Sequence, residues 1–405
     1  MPARRRSITV AFVALIVIAG CSSSGSRVST ATTVPSSTTS TVPASPTSPS
    51  TARTCTSLAD IDAWPLARRV AQVIAIPSLD FNVESLASML RDAGGVLFLG
   101  SNPAPANLGS RIAAAMAGGD RASKPLVMAD VEGGGVQRLH GLVDPFPWAR
   151  DLAARSPAEI RAVARLVGQQ MMRAGVNVDL APVVDLDDRP GPSATNPDGR
   201  RSFSLDPDTT ARDASAFVQG LRDAGVLAVL KHFPGLGGST RNTDFGPAAT
   251  LPYSALRAAG LRPFRAGIAA GAPSIMLSNA TTPGLSNQPA SVSSTVIVDL
   301  LRKQMGFGGL VMTDSLSAGA LTAAGYTVPQ AAVAAITAGA DLVLFGSTLT
   351  PADTALLQPD HVHATRDDIA RALATAVRSG ALSRQRLDDA VAHVLRAKAV
   401  TMCAN

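Results

Sequence analysis

Lysine occurs at only four of 405 positions, Lys124, Lys231, Lys303 and Lys398, and aromatic residues make up 4% of the chain. No basic block interleaved with aromatics exists, so a nucleic-acid surface is not expected. No internal period of 20 to 50 residues is evident, which excludes a solenoid or propeller. The dinucleotide fingerprint is missing as well: Gly235-Leu236-Gly237-Gly238 lacks the third spaced glycine, and no GK[ST] loop is present. His361 and His363 stand two apart without further Cys or His partners, so they read as surface histidines, and neither a metal nor a cofactor is expected. What is abundant is apolar residue, 46% against 16% charged. That balance excludes global disorder and supplies a packed core. The length suits two or three domains, or one large α/β barrel.

Arg4-Arg5-Arg6 followed by the apolar stretch from Ile8 to Ile18 reads as a signal peptide, too short to span about 30 Å of hydrocarbon comfortably. Ile18-Ala19-Gly20-Cys21 resembles the lipobox of bacterial lipoproteins. The resemblance implies removal of residues 1–20, a lipid on Cys21 and an extracytoplasmic chain tethered to the cell membrane by that lipid alone. Residues 21–54, nearly all Ser, Thr, Pro, Ala and Val after the cysteine, form an expected flexible linker, plausibly O-glycosylated. The folded part is expected over 55–405. With Cys21 acylated, Cys55 and Cys403 remain, one at each end of the folded part, in a compartment that permits disulfides. They are expected to pair, which requires the two ends to lie together.

Eight short β-branched or apolar runs recur between Ala-rich segments of helical periodicity: 73–76, 95–98, 126–129, 176–179, 226–230, 274–277, 309–312 and 342–345. Eight parallel strands close a (β/α)8 TIM barrel, with a doubly wound open sheet as the alternative. Polar residues stand where the runs stop: Asp130 and Glu132, Asp185, Lys231-His232, Ser278-Asn279 and Thr313-Asp314. In a barrel these converge on the carboxyl-terminal face, where active sites are assembled. One such residue alone could merely cap a helix or turn. Five polar ends together point to a site.

Three segments carry a more specific signal: Lys231-His232-Phe233-Pro234-Gly235-Leu236-Gly237, Met312-Thr313-Asp314-Ser315-Leu316-Ser317, and 129–138, which reads ADVEGGGVQR. Together with Asp179–Asp185, Gly199–Phe203 and Gly306–Val311, in this order, the chain resembles glycoside hydrolase family 3, specifically its single-domain β-N-acetylhexosaminidases, from about residue 65 to 350. The resemblance implies a monomeric glycosidase acting on a carbohydrate substrate by retention, releasing terminal β-linked N-acetylhexosamine from glycans such as cell-wall fragments. Asp314 matches the nucleophile, and the hydroxyls of Thr313 and Ser315 are expected to hydrogen-bond its carboxylate. Asp130, Arg138, Arg201, Lys231 and His232 match substrate-holding residues; for the two arginines a loop-bracing salt bridge is the other reading.

The proton-transfer half departs from the family. The usual acid/base is a His in an Asp-Ser-His triplet, and the corresponding count from Gly237 lands on Asn242-Thr243-Asp244. The pattern's own His reads Leu236, the Arg after Glu-Gly-Gly reads Gly135, and no His stands near Asn279. Two readings follow. In one, Asp244 serves as general acid with Asn242 orienting it. In the other, the protein is a catalytically weak or inactive glycan-binding lipoprotein, since positioned proton transfer is worth roughly 10²- to 10⁴-fold. A β-glycosidase of different sugar specificity is a further possibility.

Overall fold

A computed structural model describes residues 55–403; the signal segment, Cys21 and the linker lie outside the described residues. Among the described residues there are ten strands: β1 (Ala75–Leu79), β2 (Gly95–Leu99), β3 (Leu126–Ala129), β4 (Val131–Gly133), β5 (Val136–Gln137), β6 (Val178–Asp179), β7 (Leu227–Phe233), β8 (Ser274–Leu277), β9 (Leu310–Ser315) and β10 (Leu342–Leu344). Eight of them pair in parallel in the order β1-β2-β3-β6-β7-β8-β9-β10, while β4 and β5 form a small antiparallel hairpin. A parallel bridge between Ile74 and Val343 joins the last strand to the first. The sheet is a nearly closed (β/α)8 barrel.

The strands read as unbroken apolar runs because both of their faces are covered. Along β2, Leu97 and Leu99 pack into the barrel interior with Met128, Val229 and Met312. Val96 and Phe98 alternate to the other side and pack against the surrounding helices. The helices start where the sequence gives them caps. Ser156 accepts from the Glu159 N–H ahead of the helix Pro157–Arg173, and Thr327 accepts from Gln330 ahead of Val328–Ala338.

Several strand boundaries differ from the sequence reading. The first strand begins at Ala75 rather than Val73, because Val73 caps the helix Leu66–Gln72. The fourth barrel strand is confined to Val178–Asp179. Lys231, His232, Thr313 and Asp314 also lie inside their strands rather than beyond them. These four candidates are thereby placed in strands rather than in loops.

Cys55 and Cys403 are disulfide-bonded, as expected, with a Cα–Cα separation of 5.0 Å. The chain ends meet beside the bond: Thr56 N–H donates to Thr401 and Cys403 N–H donates to Thr56. Closing so long a loop contributes on the order of 4 kcal/mol through the entropy of the unfolded chain.

At the opposite end of the barrel from the polar strand ends, Asp341 is fully buried ahead of β10. It accepts from Arg386 at 2.7 Å, Arg302 at 2.5 Å and the Val311 N–H at 2.9 Å, and the His393 ring nitrogen lies 3.0 Å away. Although burial opposes it, His393, Arg302 and Arg386 hold the carboxyl at about 2. Its folded value lies below its unfolded one, so its stabilisation is present above the ordinary carboxylate range and is lost as pH falls toward 2. Asp341→Ala would leave two guanidinium groups without their shared acceptor. We expect a loss of about 3 kcal/mol, read as a lowered melting temperature at neutral pH.

Candidate active site

The residues expected to act as nucleophile, acid/base or substrate holders reach one cleft at the carboxyl-terminal face of the barrel. Asp130, Arg138, Arg201, Lys231, His232, Asp244 and Asp314 all line a cavity of about 260 Å³. A larger cavity of about 930 Å³ lies on the outer wall between the helices Val328–Ala338 and Pro359–Ser379. Its lining holds no clustered carboxylates, and the chemistry is in the smaller one.

The floor of the cleft is a four-residue ionic network. Lys231, 2% exposed, places its ammonium 2.7 Å from Asp130 Oδ1 and 2.6 Å from Glu132 Oε1. Arg201 holds both oxygens of Glu132, Nε to Oε2 and Nη2 to Oε1, each at 2.8 Å, and donates to the Pro197 carbonyl. Burial alone would push the Glu132 carboxyl up, but Arg201 and Lys231 together hold it well below the usual carboxylate range. Lys231 is raised against its own burial by Asp130 and Glu132. Glu132, Lys231 and Arg201 are therefore charged at neutral pH. Arg138 donates to the Gly100 carbonyl at 3.1 Å and lies 4.0 Å from Asp130, with its buried Nε unpartnered.

Glu132, read from the sequence only as a polar strand end, is the member that was given no role in the site. The bidentate pair it forms also realises the loop-bracing alternative for Arg201, on a residue that lines the cleft at the same time. The signal was available: Asp130 and Glu132 are two apart, a spacing that in extended backbone puts both carboxylates on one face, where they need cations.

Behind the network, Asp185 fixes the turn after β7. Its Oδ2 accepts the His232 N–H at 2.9 Å and lies 2.8 Å from the His232 Nδ1, and its Oδ1 accepts the Leu236 N–H. Burial, reinforced by the nearby Arg201, lowers His232 to about 4, so the ring is neutral at pH 7. Asp198 is completely buried beside this pair with neither carboxyl oxygen hydrogen-bonded, and burial together with Asp185 pushes it up to about 8. Asp185, Asp198 and His232 bring ligand atoms within 4.8 Å of one another, the grouping among the described residues that could hold a metal ion. Both oxygens of Asp185 and the His232 Nδ1 are already engaged, however, and the set orients the histidine.

Asp314 stands one residue before the end of β9, half-buried, with the Ser315 N–H donating to its Oδ1 at 2.7 Å. The expected contacts from the neighbouring hydroxyls are not made. The Thr313 hydroxyl accepts from the Leu344 N–H in β10, and the Ser315 hydroxyl donates to the Gly346 carbonyl just beyond that strand, so neighbouring backbone claims both. Asn279 completes the support by donating to the Ser315 carbonyl.

Asp244 faces the same cleft from the loop after β7. Asn242 holds its backbone: the amide oxygen accepts the Asp244 N–H at 3.0 Å, so the orientation expected of Asn242 acts on the main chain. Burial raises both carboxyls, and Asp244 further raises Asp314. The two carboxyls interact, so they titrate as a pair. One carboxylate opposite one carboxylic acid is what displacement at an acetal carbon requires.

Comparison with known proteins agrees with this geometry. The sequence pattern described as "Glycosyl hydrolase family 3 N terminal domain" matches residues 73–397. The chain is similar to a protein named Beta-hexosaminidase LpqI of Mycobacterium tuberculosis, 33% identical over 420 residues covering 97% of each chain. Among solved structures it resembles Beta-N-acetylhexosaminidase from Beutenbergia cavernae (TM-score 0.73, 30% identity, 84% of this chain and 100% of that one). It resembles M. tuberculosis LpqI to the same degree (TM-score 0.72, 32% identity, 85% and 97%).

Proposed function

This chain belongs to glycosyl hydrolase family 3 and is a glycosidase, and from that premise we propose that it removes terminal β-linked N-acetylhexosamine from glycans such as cell-wall fragments by a retaining mechanism. Asp314 attacks the anomeric carbon through Oδ2, the oxygen not bonded to Ser315. Asp244, protonated, gives its proton to the leaving oxygen. A covalent glycosyl-enzyme forms, and Asp244, now ionised, takes a proton from the water that hydrolyses it. Asp130 accepts from sugar hydroxyls, Lys231, Arg138 and Arg201 donate to hydroxyl and amide oxygens, and His232 offers its ring at the cleft wall.

The reading is carried by one observation: two electrostatically coupled carboxyls, Asp314 and Asp244, line the same cleft as the fixed donors and acceptors. The substrate assignment draws on relatives named as hexosaminidases. The test is incubation of residues 55–405 with chromogenic β-GlcNAc and β-glucoside substrates, with Asp314→Asn as blank. Faster release from β-GlcNAc is the expected result. A preference for the glucoside would reassign the sugar, and no release from either would leave a glycan-binding protein.

The proposal extends to location. The tethered form, with residues 1–20 removed and Cys21 lipidated, is supported by the sequence of the first 54 residues, and 55–405 would act as one catalytic domain and as a monomer. A disulfide belongs in an oxidising compartment, which favours an extracytoplasmic site. Among the described residues no helix is long and apolar enough to cross a membrane.

A further inference from the structure

We infer that Gly319 is a positioning residue for proton transfer: because it has no side chain, the loop bearing Asp244 docks by its backbone onto the helix that follows the Asp314 strand. The inference rests on the assignment of Asp244 as general acid and base.

Two hydrogen bonds make the docking. Gly319 N–H donates to the Asp244 carbonyl at 3.0 Å, and Ala320 N–H donates to the Thr243 carbonyl at 2.9 Å. Gly319 and Ala320 open the helix Gly319–Ala323, where backbone N–H groups have no partner within the helix. The loop thus completes the helix, and the helix fixes the loop. From the other side, Asn242 N–H donates to the Ala194 carbonyl while its side chain holds the Asp244 N–H. Asp244 is therefore gripped at both its amide and its carbonyl.

Nothing local asks for glycine at 319. Its φ is not in the positive region, and in a helix alanine is the better former. What asks for it is the approach of the loop. A Cβ there would lie 2.8 Å from the Asp244 carbonyl oxygen, 3.1 Å from the Gly246 nitrogen and 3.1 Å from the Phe245 carbonyl carbon. All three are backbone atoms, which cannot swing aside as a side chain would.

The same short segment is rigid on the nucleophile side. Ser315 is held by Gly346 and Asn279, and the Leu316 N–H donates to Leu344. Residues 314 to 320 therefore connect the attacking carboxylate to the proton donor through one braced stretch of chain. A methyl group at 319 would push the loop outward and leave Asp314 where it is.

The experiment compares Gly319→Ala with Asp244→Ala and with Gly308→Ala, whose added Cβ meets nothing within 4 Å. Each is assayed on a β-linked GlcNAc disaccharide and on a dinitrophenyl β-GlcNAc glycoside, which needs little protonation to depart. Gly319→Ala should lower kcat on the disaccharide roughly 10- to 100-fold, the scale of an ångström misplacement of a reacting group. Its KM should stay near wild type, its dependence on leaving-group acidity should steepen, and its melting temperature should match that of Gly308→Ala. Disaccharide turnover unchanged in Gly319→Ala while Asp244→Ala is impaired would overturn the positioning role alone. Unchanged turnover in Asp244→Ala would instead overturn the acid assignment on which it rests. If Gly319→Ala does not fold, Asn242→Ala loosens the loop from its other end without adding an atom. The same steepened leaving-group dependence is then expected, and its absence would refute the inference.

Discussion

Replacing Asp314 with Asn is expected to reduce turnover of every substrate, activated aryl glycosides included, by at least about 10⁴-fold, the scale seen when a covalent nucleophile is removed. The expectation follows from position. Asp314 sits inside a barrel strand, with Ser315 hydrogen-bonded to two neighbouring elements and its own amide donating to the carboxylate. An asparagine fits this space and keeps the shape, so the loss would report chemistry rather than folding. Wild-type protein incubated with a fluorinated glycoside, whose glycosyl-enzyme hydrolyses slowly, should carry the label on the peptide containing Asp314. Label on another carboxylate, with Asp314→Asn still turning over, would remove Asp314 from the role. Because Asp314 attacks only when ionised and burial raises its proton affinity, the acidic limb of kcat/KM should lie above the range of an ordinary aspartate.

The barrel was legible because each parallel strand is buried on both faces and so leaves an apolar run of four or five residues. One misplaced start, Val73, is apolar for a different reason, as the cap of the preceding helix. Within the folded part, the residues given nucleophile, acid/base or substrate-holding roles all line the cleft, since a barrel sends all strand ends to one face, while the strand-end residues Asp185, Ser278, Asn279 and Thr313 are not part of its lining. What was not legible was the pairing among them. The sequence placed Lys231 beside a substrate, while in the structure its ammonium is shared by Asp130 and Glu132, residues a hundred positions away whose spacing alone does not name their partner. Asp198 lies in an irregular loop without periodicity, and nothing in its neighbours forecasts a buried carboxyl with no hydrogen bond. The hydroxyls of Thr313 and Ser315 were assigned to Asp314 by proximity in sequence. Neighbouring backbone took them instead, as it does wherever it offers a partner in the direction the side chain must point.

The proton-transfer role of Asp244 leads to the other large effect. Asp244→Ala should slow a natural disaccharide by roughly 10²- to 10⁴-fold, the contribution of a positioned acid, because an alkoxide sugar is a poor leaving group without a proton. A dinitrophenyl glycoside should still glycosylate Asp314 at nearly the wild-type rate. It would then stall, since hydrolysis of the intermediate also needs Asp244, now as base. Azide, which attacks without base help, should restore turnover and yield the β-glycosyl azide. The pH profile supplies an independent reading. Asp244 works as an acid only while protonated, and its burial beside Asp314 raises its proton affinity. The basic limb of kcat/KM on the disaccharide should therefore lie well above an ordinary carboxylate, and Asp244→Ala should lose it. His232 does not offer the same service. Its ring is neutral at pH 7, and its Nδ1 is held against Asp185, so it has no proton to give in the range where the enzyme would work. Unchanged disaccharide rates in Asp244→Ala, with the basic limb intact, would move the acid to another group on this face of the barrel.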